Sequence, residues 1–125
     1  MTGKLTSIEK DEHDAVISNL AEVLKKRGLN VLTNPSESKN NSAKIKGKEL
    51  FPDVFTYKEG SKKNILTSVY EVETESSVSE ESAEQWASYS SDNFKFFLAV
   101  PEKSLEKARS IAKAKGIKVD GFWTF

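Results

Sequence analysis

Residues 94–100, Phe94-Lys95-Phe96-Phe97-Leu98-Ala99-Val100, decide how the rest of the chain is read. Side chains alternate across an extended strand, so Phe94, Phe96, Leu98 and Val100 share one face, and Phe97 and Ala99 the other. A strand that is apolar on both faces has no solvent side and belongs in the middle of a sheet covered above and below. Pro101 ends it and opens a helix to about residue 115, with Leu105, Ala108, Ile111 and Ala112 on one stripe and Gly116 as its stop. On the other side, residues 76–91 read as a helix with Ala83, Trp86, Ala87 and Ser90 turned inward, capped by Ser77 or Ser79.

Farther out, residues 8–27 form a third amphipathic helix. Val16, Ile17, Leu20, Ala21, Val23 and Leu24 recur at spacings of three and four. Asp11, Glu12 and Asp14 near its start and Lys25, Lys26 and Arg27 at its end complement the helix dipole, and Gly28 supplies the C-cap. Residues 1–7 are expected to fray. Residues 29–33, 50–57 and 65–73 read as strands, the last two joined by a turn around Gly60. The polar stretch 34–48, with Pro35 and Gly47, reads as a mobile loop or an irregular hairpin and is assigned no regular structure, and residues 117–119 and 122–125 close the chain as short strand pieces. The expected order is α-β-β-β-α-β-α-β. This is an α/β fold, a mixed central sheet flanked by helices, in a single domain over residues 1–125.

A chain of 125 residues has no room for a second core. Nineteen Lys and Arg balance nineteen Asp and Glu, which excludes a polybasic binder and leaves any nucleic-acid contact to local patches. With no Cys, disulfide frameworks, thiolate zinc sites and Cys nucleophiles are excluded, and a single His excludes multi-histidine zinc sites. The longest apolar run, residues 96–100, is far too short to span a bilayer, and the N-terminus lacks the apolar core of a signal peptide, so a cytoplasmic location is expected.

The chemistry concentrates between residues 52 and 89. Asp53 sits on the second strand, and Glu71 and Glu73 share one face of the third, roughly 6.5–7 Å apart along it. If the turn near Gly60 pairs these strands, Asp53 lies beside them. Three converging carboxylates make an oxygen-rich site for a hard divalent cation, Mg²⁺ or Mn²⁺. Between residues 64 and 84 there are six acids and no Lys or Arg, and a cation would relieve their repulsion. On strict alternation, Ile65 and Val69 share the acidic face, while Leu66, Tyr70 and Val72 occupy the other. Both faces are therefore apolar upstream, with acids only toward the strand's end.

Pro52-Asp53, then Glu71-Val72-Glu73-Thr74, then Gln85-Trp86-Ala87-Ser88-Tyr89 resemble the PD-(D/E)xK nuclease superfamily. The helical segment is similar to the Gln-x-x-x-Tyr pattern of its RecB-type members. The element order over residues 15–119 resembles that family's restriction-endonuclease-like αβββαβ core. The resemblance implies Asp53 and Glu71 as metal ligands, with the Val72 carbonyl as a further one. It places Gln85 near the site and Tyr89 one helical turn on, toward bound nucleic acid. The family's Lys is replaced by Glu73, which can act as a general base or hold a second metal but cannot supply positive charge. Glu12 and His13 stand nearest to the acid that many members carry on the first helix, and both are expected to be solvated. Lys39, Lys44, Lys46 and Lys48, with Lys58, Lys62 and Lys63 around the turn, would be phosphate contacts. The function implied is a metal-dependent endonuclease acting on nucleic acid, DNA first, with a homodimer as the plausible assembly. The alternative is a catalytically inactive module of the same fold that binds nucleic acid or a protein partner.

Overall fold

The computed structural model describes residues 6–125. The frayed start expected for residues 1–7 lies outside the described residues up to residue 5. Thr6 already caps the first helix, α1 (Ser7–Lys26). The Thr6 hydroxyl accepts from the Glu9 N–H while the Glu9 carboxyl accepts from the Thr6 N–H, a capping box that satisfies two otherwise orphaned donors. Strand β1 (Asn30–Thr33) follows. The polar stretch then folds into a hairpin of β2 (Ala43–Ile45) and β3 (Lys48–Leu50), where no regular structure was expected. Its two-residue loop is Lys46-Gly47, both at positive φ (52° and 80°), the backbone of a type I′ turn.

The expected single strand 50–57 is therefore broken at Phe51-Pro52-Asp53, and only β4 (Val54–Glu59) joins the main sheet. It turns through Gly60 into β5 (Asn64–Val72). The helix α2 (Glu80–Tyr89), capped by Ser79, leads to β6 (Lys95–Val100). A single 3-10 turn at Glu102–Ser104 opens α3 (Leu105–Ala114), and β7 (Gly121–Thr124) ends the chain. Residues 117–119 form no strand. The main sheet runs β1-β4-β5-β6-β7, antiparallel on the β1 side and parallel from β5 onward. The protein is thus mixed α/β, with a five-stranded mixed sheet and three helices.

Strand β6 lies between β5 and β7, as its two apolar faces require. Phe96, Leu98 and Val100 pack with Val69, Trp86 and Ala108 beneath α2 and α3. Ala99 and Phe97 meet Ile17, Leu20 and Tyr70 beneath α1, and the Phe97 and Tyr70 rings stack at 4.8 Å. Each such large side chain contributes on the order of 1.5–3 kcal/mol on burial. Gly121 at the start of β7 leaves room for the Phe97 ring, since a Cβ there would lie a tight 3.0 Å from it.

One irregularity alters the expected faces. The β4–β5 register shifts between Thr56 and Tyr57, so that Thr56 pairs with Ser68 but Tyr57 with Leu66, leaving Thr67 as the extra residue of a bulge. The Thr56 hydroxyl bonds both the Thr67 and Ser68 hydroxyls, which fixes the bulge. Beyond it, Leu66 turns to the same core cluster as Val69, on the face opposite to the one strict alternation assigns. No helix among the described residues is long and apolar enough to cross a membrane.

Candidate active site

Asp53 ends the irregular link into β4, and Glu71 lies one residue before the end of β5, with Glu73 just beyond it. All three are buried, at 7%, 5% and 8% exposure. The Asp53 N–H donates to Glu71 Oε2 at 2.8 Å, and the Val72 N–H donates to Asp53 Oδ2 at 2.8 Å. This reciprocal pair clamps the two carboxyls against each other across the β4–β5 entrance. No Lys or Arg pairs with any of the three acids among the described residues. They line a pocket of about 200 Å³ together with Val72 and Gln85, and Gln85 is exposed at its rim.

His13 completes the cluster. The expectation of a solvated residue is wrong, since His13 is 8% exposed and its Nε2 stands 3.2 Å from Asp53 Oδ2. Its Nδ1 stands 3.0 Å from Asp14 Oδ1, and Ser36 closes the network by donating from its hydroxyl to the same Asp14 oxygen at 2.8 Å. The signal was available: His13 sits one turn before Val16 and Ile17, on the stripe α1 buries. Glu12, by contrast, is exposed as expected.

The electrostatics follow from packing acids together out of water. Burial, then the Asp53 charge, raises Glu71 well above the usual carboxylate range, although the Asp53 N–H partly offsets this. Burial and Asp53 push Glu73 up to about 8. Burial opposes the charged form of His13, but the hydrogen bonds and charges of Asp53 and Asp14 outweigh it and raise His13 to about 9. All three groups therefore hold a proton more tightly than they would in water.

Glu73 keeps one oxygen, Oε2, buried with no hydrogen-bond partner, and the Trp86 ring N–H is likewise buried and unpaired. The two groups are close enough for Trp86 to lower the Glu73 pKa without reaching hydrogen-bond geometry. The donor types, carboxylates and an adjacent main-chain carbonyl, suit a hard divalent ion, and the orphaned Glu73 oxygen is one such donor awaiting a partner. The arrangement is less complete. Among the described residues no group of three or more His, Asp or Glu side chains stands where it would hold a metal ion, and Asp53 Oδ2 and Glu71 Oε2 already accept main-chain N–H groups.

The remaining candidates separate from this centre. Tyr89 is 2% exposed and packs its ring against Phe96 at 5.9 Å, so its ring is a core element and not a surface for nucleic acid. Its hydroxyl does sense the site, because burial and the Glu71 charge together raise its pKa. Lys44, Lys46 and Lys48 belong to the β2–β3 hairpin, and none of them lines the acid pocket. Lys44 and Lys46 border a different cleft, and Lys46 Nζ donates to the Ala87 carbonyl at 3.1 Å. The cations at the pocket are Lys10, from α1, and Lys39, from the loop after β1. Lys10 was passed over because, on a helix, it reads as solvated surface.

Comparison of the chain with protein-family models, with curated proteins and with solved structures finds no match in any of the three.

Proposed function

We propose that the acid pocket is the hydrolytic centre of a metal-dependent nuclease with a restriction-endonuclease-like core, acting on phosphodiester bonds of nucleic acid, DNA foremost. The observation that carries this reading is the pairing of Asp53 with Glu71: two buried carboxyls, each fixed by a main-chain N–H of the other strand at 2.8 Å, without a lysine or arginine to neutralise them, in a pocket open at its rim. The order α1, β1, β4, β5, α2, β6, with β5 antiparallel to β4 and parallel to β6, supports the αβββαβ reading.

In this site Asp53, Glu71 and the Val72 carbonyl would hold Mg²⁺ or Mn²⁺. The ion, when bound, supplies positive charge to the phosphate and lowers the pKa of the attacking water. Glu73, with its unpaired oxygen, is placed to accept that water's proton and stands in for the lysine of the related pattern. His13 holds the Asp53 carboxyl in one orientation through Oδ2. Gln85 at the rim, with Lys10 and Lys39, would meet the phosphate backbone, which positions the strand without reading its sequence.

The test is incubation of the protein with supercoiled plasmid, single-stranded DNA, branched DNA and RNA in Mg²⁺ or Mn²⁺. Metal-dependent cleavage that falls by at least about 100-fold in Asp53→Ala and Glu71→Ala supports the reading. Cleavage that survives both substitutions contradicts it. Binding without cleavage in the unaltered chain would favour the inactive module, to which the Glu at position 73 also points.

A further inference from the structure

The other end of β5 carries a second concavity that the nuclease reading does not use. Helix α2 stops at Tyr89, and the sheet face beyond it is shared with the β2–β3 hairpin, whose Ala43 and Ile45 are buried in the same core cluster. A cleft of about 500 Å³ remains, with Leu32, Phe55 and Leu66 from the strands and Ala43, Ile45 and Phe94 around them. That size falls in the range of roughly 300–1,000 Å³ common to small-molecule sites. Leu66 is present only because the bulge at Thr67 turns it to this face. Its neighbour Ile65, at the mouth, is 45% exposed.

The charge around the cleft has one sign. Lys44, Lys46 and Lys63 are the ionisable side chains among its lining residues, apart from the Tyr57 phenol, and no Asp or Glu is among them. Lys46 is tied to the Ala87 carbonyl, whereas Lys44 and Lys63 have no carboxylate within ion-pair distance among the described residues; Glu49, across the hairpin from Lys44, accepts from the Ser42 hydroxyl. An apolar interior of aliphatic and aromatic side chains under a cationic rim matches a ligand with an extended apolar body and a single anionic head. Ser42, Asn64, Ser91 and Asn93 add neutral polar groups around the apolar floor.

We propose that this cleft binds a small amphiphilic anion of the medium-chain fatty-acid class, with the chain over Leu66 and Phe55 and the carboxylate at Lys44 and Lys63. The site is independent of the acid pocket: Leu66 and Glu71 are five residues apart on one strand, roughly 17 Å.

The experiment is an amide chemical-shift titration of the full chain with sodium decanoate below its micelle concentration, run beside decanol and decyltrimethylammonium. Saturable shifts confined to residues 43–46 and 64–66 are expected. Affinity should be about tenfold or more weaker for the cation, and for decanoate with the Lys44→Glu/Lys63→Glu variant. Ile65→Glu, at an exposed position, should weaken decanoate similarly. The ligand comparison is made on the unaltered chain, so it decides the matter even if a variant folds poorly. Equal affinity for anion and cation, no saturable shift, the same residues responding to a single-stranded oligonucleotide but not to decanoate, or shifts that depend only on protein concentration, as in self-association, would each overturn the proposal.

Discussion

The two ends of β5 solve opposite problems with the same strand. At its C-terminal end Glu71, with Glu73 beyond it, is buried beside Asp53 with no lysine or arginine to neutralise the cluster. At its N-terminal end aliphatic side chains line a cleft whose charged neighbours are lysines without acids. Within a chain of zero formal charge, the acids thus gather at one end of this strand and lysines at the other. The lesson is about where free energy is held. Unpaired buried carboxyls cost stability and are retained only where something else uses them. An open apolar cleft forgoes burial that a longer α2 would have provided.

The strongest way to break this comparison is at Trp86, which is 1% exposed, belongs to the apolar cluster and borders Glu73. Trp86→Ala should destabilise the protein by about 3–5 kcal/mol, read by urea unfolding. It should perturb the amide shifts of residues at both ends of β5, and a loss confined to one end would mean that the ends do not share a core. Next in size is Glu73→Gln. It should lower metal-dependent cleavage by about 100-fold while raising Tm by roughly 5 °C near pH 9, because the amide removes a charge that burial and Asp53 oppose. Reduced activity with unchanged Tm would mean that Glu73 is not strained in the folded state.

The pH dependence sharpens the same point. Glu73 rises from an ordinary 4.5 to about 8 on folding, and His13 from 6.5 to about 9. Both raised groups bind protons more tightly when folded. Their contribution to stability is complete below 4.5 and 6.5 respectively, and is lost as pH climbs through 8 and 9. The Tm of the metal-free protein should therefore fall between about pH 6 and about pH 9, and Mg²⁺ should restore more of it at the higher pH, where it no longer competes with protons. A Tm that rises over that window would contradict the direction assigned to both groups. The smallest effect is expected at Gly47. At φ 80° in the hairpin turn, Gly47→Ala should cost about 1–2 kcal/mol. It should weaken the cleft end, leaving cleavage within about twofold.

Much of this was legible in the residues. The two-faced apolar run of β6 placed it inside the sheet, and the three acids proved to share one pocket, with Gln85 at its rim. Three things were hidden, each for a physical reason. The β2–β3 hairpin was hidden because Lys-Gly is a weak signature for a type I′ turn beside Asn-Gly, and its strands are only three residues long. The bulge was hidden because contacts of the Thr56 hydroxyl with the Thr67 and Ser68 hydroxyls, on the next strand, set the register. For His13 the spacing placed it on the buried stripe, but its partner was hidden, because Asp53 arrives from another element and makes that burial favourable.

The most direct test of the central claim is a crystal structure grown with saturating Mn²⁺, read by anomalous scattering. The account predicts one ion between Asp53 and Glu71, with Asp53 Oδ2 released from the Val72 N–H and the Glu73 carboxyl deprotonated toward it. An ion-free pocket, with the Asp53–Glu71 clamp intact and the metal bound elsewhere or not at all, would contradict it.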